Sequence, residues 1–258
     1  MNINECCLGD CLELMKNIPD KSIDMILCDL PYGTTACKWD TIIPFEPLWD
    51  QYKRIIKDNG AIVLTATQPF TSALVMSNIG MFKYEWIWEK KNAPNYPHAK
   101  NMPLKITEEI LVFSKNNVGH ASQLKEKRMN YFPQGVEQCS YTRKGNCGKT
   151  NEDLYIRPSH NGIRTITTKN YPKNILKFDY DYKYQIHPTQ KPVHLFEYLI
   201  KTYTNEGDLV LDNCMGSGTT AIACINTNRN YICMEKDEGY FEKAQNRINE
   251  LKCQVKLA

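Results

Sequence analysis

Leu209-Val210-Leu211-Asp212-Asn213-Cys214-Met215-Gly216-Ser217-Gly218-Thr219-Thr220-Ala221 runs from an apolar strand-like stretch through Gly-x-Gly into a helix-forming one. A strand stopped by an acid and two glycines and followed by a helix is the unit from which α/β sheets are built. Gly216 and Gly218 can take backbone angles closed to other residues, and without side chains they let a ligand approach the main chain and the helix N-terminus. Gly-x-Gly alone is a common turn. Glu235 strengthens the reading, because it ends the next expected strand, Tyr231–Met234, 17 residues beyond Gly218. Nucleotide-binding α/β folds place a carboxylate there, on ribose hydroxyls. The alternative is a solvated strand end; together the two features point to an adenosine-containing ligand.

Upstream, Ser22-Ile23-Asp24-Met25-Ile26-Leu27-Cys28 is an apolar run halted by Asp29-Leu30-Pro31-Tyr32-Gly33, which predicts a buried strand entering a tight turn. Phe45, Leu48, Trp49, Tyr52, Ile55 and Ile56 recur at helical spacing, and Asn59-Gly60 is expected to stop the chain before a strand at Ala61–Leu64. A helix after Pro69 and strands near Tyr84–Trp88 and Glu109–Phe113 follow. Beyond the Gly-x-Gly stretch come a helix over Thr219–Asn226 and a last helix using Tyr240, Phe241, Ala244, Ile248 and Leu251; a further helix, Val193–Tyr203, precedes it. This alternation predicts an α/β fold with a mostly parallel sheet and helices on both faces.

Between about Ser114 and Ile186 the periodicity fails, over a stretch too long for an ordinary connection. Residues 115–177 hold twelve Lys/Arg (Lys115, Lys125, Lys127, Arg128, Arg143, Lys144, Lys149, Arg157, Arg164, Lys169, Lys173, Lys177) and four acids, a net +8. The chain of 258 residues totals +3, so the remainder carries −5. On charge alone this segment is either a solvated insertion or a surface for a polyanion. Hydrophobic residues at 42% and charged residues at 24% describe a globular chain. No apolar run spans a bilayer, and Met1-Asn2-Ile3-Asn4-Glu5 lacks the features of a signal peptide, so the expected location is cytoplasmic, with no membrane partner. Eleven cysteines without a Cys-x-x-Cys pair argue for reduced thiols and no metal.

Asp29-Leu30-Pro31-Tyr32 puts a carboxylate, a stiffened backbone and an aromatic ring beyond a strand end, where open α/β sheets bind ligands. The stretch resembles the Asp-Pro-Pro-Tyr motif of amino-group DNA methyltransferases. Asp212-x-x-Met-Gly-Ser-Gly-Thr-Thr resembles their S-adenosylmethionine loop, and His187-Pro188-Thr189-Gln190-Lys191-Pro192 is similar to a third motif of the family. Catalytic motif first and cofactor loop last is the permuted order of the β group. The resemblance implies a Rossmann-like catalytic domain made of residues 1–114 and 186–258, with a target-recognition insertion at 115–185.

Residue by residue, it implies that Asp212, Gly216, Ser217, Gly218 and Thr219 surround the methionine part of the cofactor, with Glu235 on its ribose. Asp10, beside Cys11, matches the residue near the adenine. Thr189 and Lys191 hold the cofactor carboxylate, with His187 and Asp29 also counted toward the cofactor. Leu30 stands where the family usually has Pro, and Cys214 where its loop usually has Phe. The implied catalytic set is Asp29, Leu30, Pro31 and Tyr32. An exocyclic amine is a poor nucleophile that gains positive charge on methylation, so a fixed anion and a carbonyl aimed at it would stabilise transfer. These are assigned to the Asp29 carboxylate and the Leu30 carbonyl, with Tyr32 as the platform for a flipped base. The expected reaction is methylation of adenine N6 in double-stranded DNA, because the motif opens with Asp where Ser is frequent in cytosine-N4 relatives. Tyr131, Phe132, Tyr141, Tyr155 and Tyr171, interleaved with the basic residues, would face DNA; Lys90, Lys91, His98 and Lys100 are either an extension of that surface or a solvated loop. A homodimer and a separate restriction endonuclease are compatible partners. The alternatives are cytosine-N4 methylation, an RNA methyltransferase, a noncatalytic DNA-binding module, and an NAD-dependent oxidoreductase, which would leave Asp29–Tyr32 unexplained.

Overall fold

The computed structural model describes residues 1–34, 37, 40–145, 162–180, 186–187 and 189–257. Among them, the strands are β1 (Glu5–Leu8), β2 (Ile23–Asp29), β3 (Ile56–Ala66), β4 (Phe82–Glu89), β5 (Thr107–Phe113), β6 (Glu137–Gly145), β7 (Gly162–Lys169), β8 (Ile175–Lys177), β9 (Leu209–Asp212) and β10 (Asn230–Glu235). The helices are α1 (Cys11–Met15), α2 (Phe45–Ile55), α3 (Phe70–Ser77), α4 (Ala121–Leu124), α5 (Val193–Tyr203), α6 (Thr219–Asn226) and α7 (Glu238–Leu257). Eight strands form one sheet in the order β1-β10-β9-β2-β3-β5-β4-β8. From β1 to β3 neighbours are parallel, β5 runs antiparallel to both β3 and β4, and β8 is parallel to β4. The expected α/β sheet with helices on both faces is what the chain forms.

Alternation along β2 explains the layers, since successive side chains point to opposite faces of a strand. Met25 and Leu27 join a core with Leu195, Leu199 and Tyr203 of α5, Ala221 and Ala223 of α6, and Ala244 and Ile248 of α7. Ile26 and Cys28 face the other way, against Met15 of α1, Leu48, Trp49, Tyr52 and Ile55 of α2, and Phe70 and Leu74 of α3. Each fully buried Leu, Ile or Phe contributes roughly 1.5–3 kcal/mol, so the two faces rather than helix propensity hold these short helices in place.

The Asn59-Gly60 pair lies inside β3, not ahead of it: the strand begins at Ile56, directly after α2. Close approach explains the glycine, because a Cβ there would stand 2.7 Å from the Asp24 carbonyl oxygen. At that point the β2–β3 register shifts between Ile23 and Met25.

Residues Pro133–Lys173 form a second compact unit, and the boundary of the first runs to Phe132 and resumes at Asn174. Within the second unit β6 and β7 pair as an antiparallel ribbon, closed at its base by Glu137, which meets Lys169 at 3.1 Å and the Asn170 amide at 2.7 Å. Sequence periodicity missed this ribbon because β6, Glu-Gln-Cys-Ser-Tyr-Thr-Arg-Lys-Gly, is mostly polar and carries no apolar alternation. Tyr141, Arg143 and Tyr171 are exposed on it. Lys149, Tyr155 and Arg157 lie outside the described residues. In the first unit, Lys115 and Lys177 pair with Asp58 and Glu89, and Tyr131 packs near Tyr203. Among the described residues no helix is long and apolar enough to cross a membrane.

The strand order positions the site. β9 and β2 are neighbours, but the helix after β9 leads outward to β10 and the helix after β2 leads outward to β3. Connections that diverge from adjacent parallel strands leave a crevice beyond their carboxyl ends. Asp29 ends β2 and Asp212 ends β9.

Candidate active site

The Asp29 carboxylate meets groups from three other segments. Its Oδ1 accepts hydrogen bonds from the Tyr32 hydroxyl at 2.7 Å and from the Thr65 hydroxyl of β3. Its Oδ2 accepts from the Lys191 ammonium at 2.8 Å. Lys191 also donates to Glu108 Oε1 of β5 at 2.9 Å, and Lys90 lies 2.6 Å from Glu108 Oε2. Asp29, Lys191, Glu108 and Lys90 thus form a row of alternating charge. The Lys191 and Glu108 side chains are each 6% exposed, against 23% for Asp29, so the row is sealed at its centre and open at Asp29.

Electrostatics follow from this geometry. Burial opposes the charged form of Glu108, yet Lys191 and Lys90 outweigh it and hold the carboxyl down to about 2. Burial likewise pulls the Lys191 ammonium down, and Asp29 and Glu108 reverse that, leaving it above its ordinary value. Burial raises the Tyr32 hydroxyl well above the usual phenol range, so it acts as a neutral donor. The Tyr32 ring stacks on Phe70 with centroids 5.2 Å apart, and the following turn is pinned by Asp40, which accepts from the Gly33 and Thr34 amides at 2.8 and 2.9 Å. Leu30 buries its side chain in the layer that holds Cys11 and Leu48.

The glycine loop forms the other end. Gly216 and Gly218 have φ of +49° and +75°, the left-handed region that favours glycine. A Cβ on Gly218 would meet Ile248 at 3.1 Å, and one on Gly216 would point to the His187 ring at 3.8 Å. Glu235 Oε2 accepts the Gly216 amide at 2.9 Å, while Oε1 accepts the Lys236 and Asp237 amides. Asp212 is buried, caps the Cys214 amide at 3.0 Å and accepts from the Thr220 hydroxyl; burial raises its carboxyl to about 7. Asp10 caps α1 through Leu12 and reaches Lys236 at 3.1 Å, and the hydrogen bond from Lys236 holds it below the usual carboxylate range. Ser217 and Thr219 hydroxyls lie 3.0 Å apart, and Thr219 Oγ1 is 3.4 Å from the Lys191 carbonyl. The His187 ring packs on Tyr240 at 4.3 Å and its Nδ1 is 3.0 Å from the Thr189 hydroxyl; burial lowers its basicity. Pro188 lies outside the described residues.

One cavity of about 800 Å³ brings these ends together. Asp10, Cys11, Asp29, Leu30, Pro31, Tyr32, His187, Thr189, Lys191, Asp212, Gly216, Ser217, Thr219 and Glu235 all line it; Gly218 instead packs toward α7. Cys214 lines it too, its thiol 3.5 Å from the Asn213 side-chain amide that donates to it. Sequence reading missed Thr65, Glu108, Phe70 and Tyr240. The one available signal was the acidic pair Glu108-Glu109 opening the otherwise strand-like Thr107–Phe113 run. Lys90, grouped with a surface stretch on sequence, turns inward to Glu108.

The family model described as DNA methylase matches residues 23–246. The chain is 28% identical over 269 residues to the type II methyltransferase M2.MboI of Moraxella bovis, an alignment covering 94% of this chain and 86% of that protein. It is 26% identical over 262 residues to M1.MboII of the same organism, covering 97% and 98%. The crystal structure of an M1.HpyAVI–SAM complex matches with a TM-score of 0.59 at 26% identity, over 94% of this chain and 98% of that one. PvuII DNA methyltransferase, described as cytosine-N4-specific, matches in fold with a TM-score of 0.64 at 16% identity, over 93% and 84%.

Proposed function

The chain belongs to the DNA methylase family of N6 and N4 amino methyltransferases, and from that premise we propose that it methylates adenine N6 in double-stranded DNA, using S-adenosylmethionine. The observation that carries this reading is one cavity with the Asp29 carboxylate, paired with Lys191, at one end and the Gly216–Thr219 loop at the other. The residues fit the cofactor. Positive-φ glycines leave main chain open beside His187, Glu235 stands fixed at the end of β10 for ribose hydroxyls, and Asp10 lies one strand further, beside β10. Ser217, Thr219, Asp212 and the Thr189–Lys191 segment surround the space for its methionine part. When bound, S-adenosylmethionine supplies an electrophilic methyl group.

The chain's own work is on the amine. Asp29, oriented by Tyr32 and Thr65, holds negative charge where positive charge grows on nitrogen, with the Leu30 carbonyl as second acceptor. Fixing amine and methyl in line supplies much of the remaining acceleration. Tyr32, backed by Phe70, offers a ring to the extruded base. The proton leaves after transfer, so no histidine base is needed.

The 115–185 segment, including the ribbon with Tyr141, Arg143, Lys169 and Tyr171, is assigned to target recognition on its charge and aromatic content. Pairing with a separate endonuclease belongs to the same reading. Expression in a host lacking DNA methylation, followed by mass spectrometry of nucleosides, tests it: N6-methyladenine is expected, N4-methylcytosine would move the assignment to the other amine, and neither would overturn it.

A further inference from the structure

The row Asp29–Lys191–Glu108–Lys90 raises a difficulty for the transfer proposed above, on which this inference rests. The target amine must reach the Asp29 carboxylate, yet Oδ2 carries Lys191 and Oδ1 carries two hydroxyls. A cation 2.8 Å from that oxygen opposes positive charge growing on the amine. Lys191 must therefore go elsewhere during the reaction. Its backbone shows where it can go, because its carbonyl lies beside Thr219 in the glycine loop while its ammonium reaches across to β2 and β5.

We propose that Lys191 is a two-position cation, resting on Asp29 and Glu108 in the free protein and moving to the carboxylate of the bound cofactor, and that Lys90 is the positioning residue that permits the move. Lys90 holds Glu108 Oε2 while Lys191 holds Oε1. When Lys191 leaves, Glu108 keeps one ionic partner and is not stranded as a lone charge in a nearly closed site, an arrangement that is strongly destabilising. The same departure uncovers Asp29 Oδ2 for the amine, so cofactor binding arms the catalytic carboxylate. Lys90 thereby tunes cofactor affinity through Glu108 and Lys191.

Calorimetric titration with two ligands tests this on the full chain. S-adenosylhomocysteine carries the amino-acid carboxylate and 5′-methylthioadenosine lacks it. Lys90→Met is expected to weaken S-adenosylhomocysteine at least about tenfold, or about 1.4 kcal/mol, and to leave 5′-methylthioadenosine within about twofold, well inside that interval. Lys90→Met combined with Glu108→Gln restores S-adenosylhomocysteine binding, since no charge is left to strand. Equal loss of both ligands, loss of neither, or a double variant as weak as Lys90→Met overturns the relay. Failure of the unaltered protein to bind S-adenosylhomocysteine at all is a separate result and overturns the cofactor reading itself.

Discussion

The Lys191 ammonium lies 2.8 Å from Asp29 Oδ2 although 162 residues separate the two in the chain. The contact exists because the β9–β2 adjacency brings the carboxyl end of β2 to the segment that precedes α5. The Asp29 carboxylate and its counter-ion are therefore supplied by opposite parts of the sequence.

Asp29→Ala is expected to abolish methyl transfer while leaving S-adenosylhomocysteine binding largely intact. Loss of one preorganised electrostatic group costs on the order of 10²–10³ in rate, and here the remaining partner is a lysine of the wrong sign. Radiolabelled methyl transfer measured beside calorimetry checks it; substantial residual methylation would sink the assignment of Asp29.

Gly218→Ala should destabilise more than Gly216→Ala. Both positions have positive φ, costing about 1–2 kcal/mol for a residue with a Cβ, but only Gly218 would also crowd Ile248 at 3.1 Å and Ala244 at 3.3 Å. Urea unfolding gives the difference. Equal midpoints would show that α7 yields without cost.

The Glu108 carboxyl is held at about 2 in the folded chain against an ordinary 4.5. Between those values the unfolded chain binds more protons than the native one, so stability falls as pH drops. Its contribution is full above about 4.5 and lost toward 2. Glu108→Gln should accordingly show a shallower decline in melting temperature from pH 5 to pH 3 than the unaltered chain, by scanning calorimetry; parallel curves would contradict the pairing.

Tyr32→Phe keeps the ring on Phe70 and removes the hydroxyl from Asp29 and Thr65, whereas Tyr32→Ala removes both. With 2-aminopurine at the target position, the fluorescence of base extrusion should persist in the first variant and fall sharply in the second. A rate loss without a change in fluorescence in Tyr32→Ala would deny the ring its stacking role.

DNA affinity should fall steeply with salt, and charge-removing changes at Arg143, Lys169 and Lys173 should each reduce the slope of log K against log[salt] by up to roughly one unit. Fluorescence anisotropy across a salt series measures it. An affinity indifferent to salt would remove the basic segment from the interface.

The fold was legible wherever apolar period and turn chemistry agreed. Ile23–Cys28 is buried on both faces, and Leu48, Trp49, Tyr52 and Ile55 mark one side of α2. β1 escaped because four residues, Glu-Cys-Cys-Leu, are too few to show a period, and the β6–β7 ribbon because its strands are polar. Asn59-Gly60 misled, since a glycine chosen for close packing inside a strand looks like one chosen for a turn. Asp29, Lys191, Asp212 and Gly216, which line one cavity, were marked by motif. Glu108 and Lys90 were not, because their meaning lies in a pairing across β4 and β5 that no local spacing records.

Strand order also sets a timetable for synthesis. β1, made first, pairs only with β10, and β2 gains its second parallel neighbour only when β9 exists. During translation the first strand has no place in the sheet until Asn230–Glu235 has emerged, while Asp29 waits for Lys191 and then for the glycine loop. A chain cut before β9 would leave β1 and one side of β2 without their parallel neighbours and the crevice beyond Asp29 without its glycine loop.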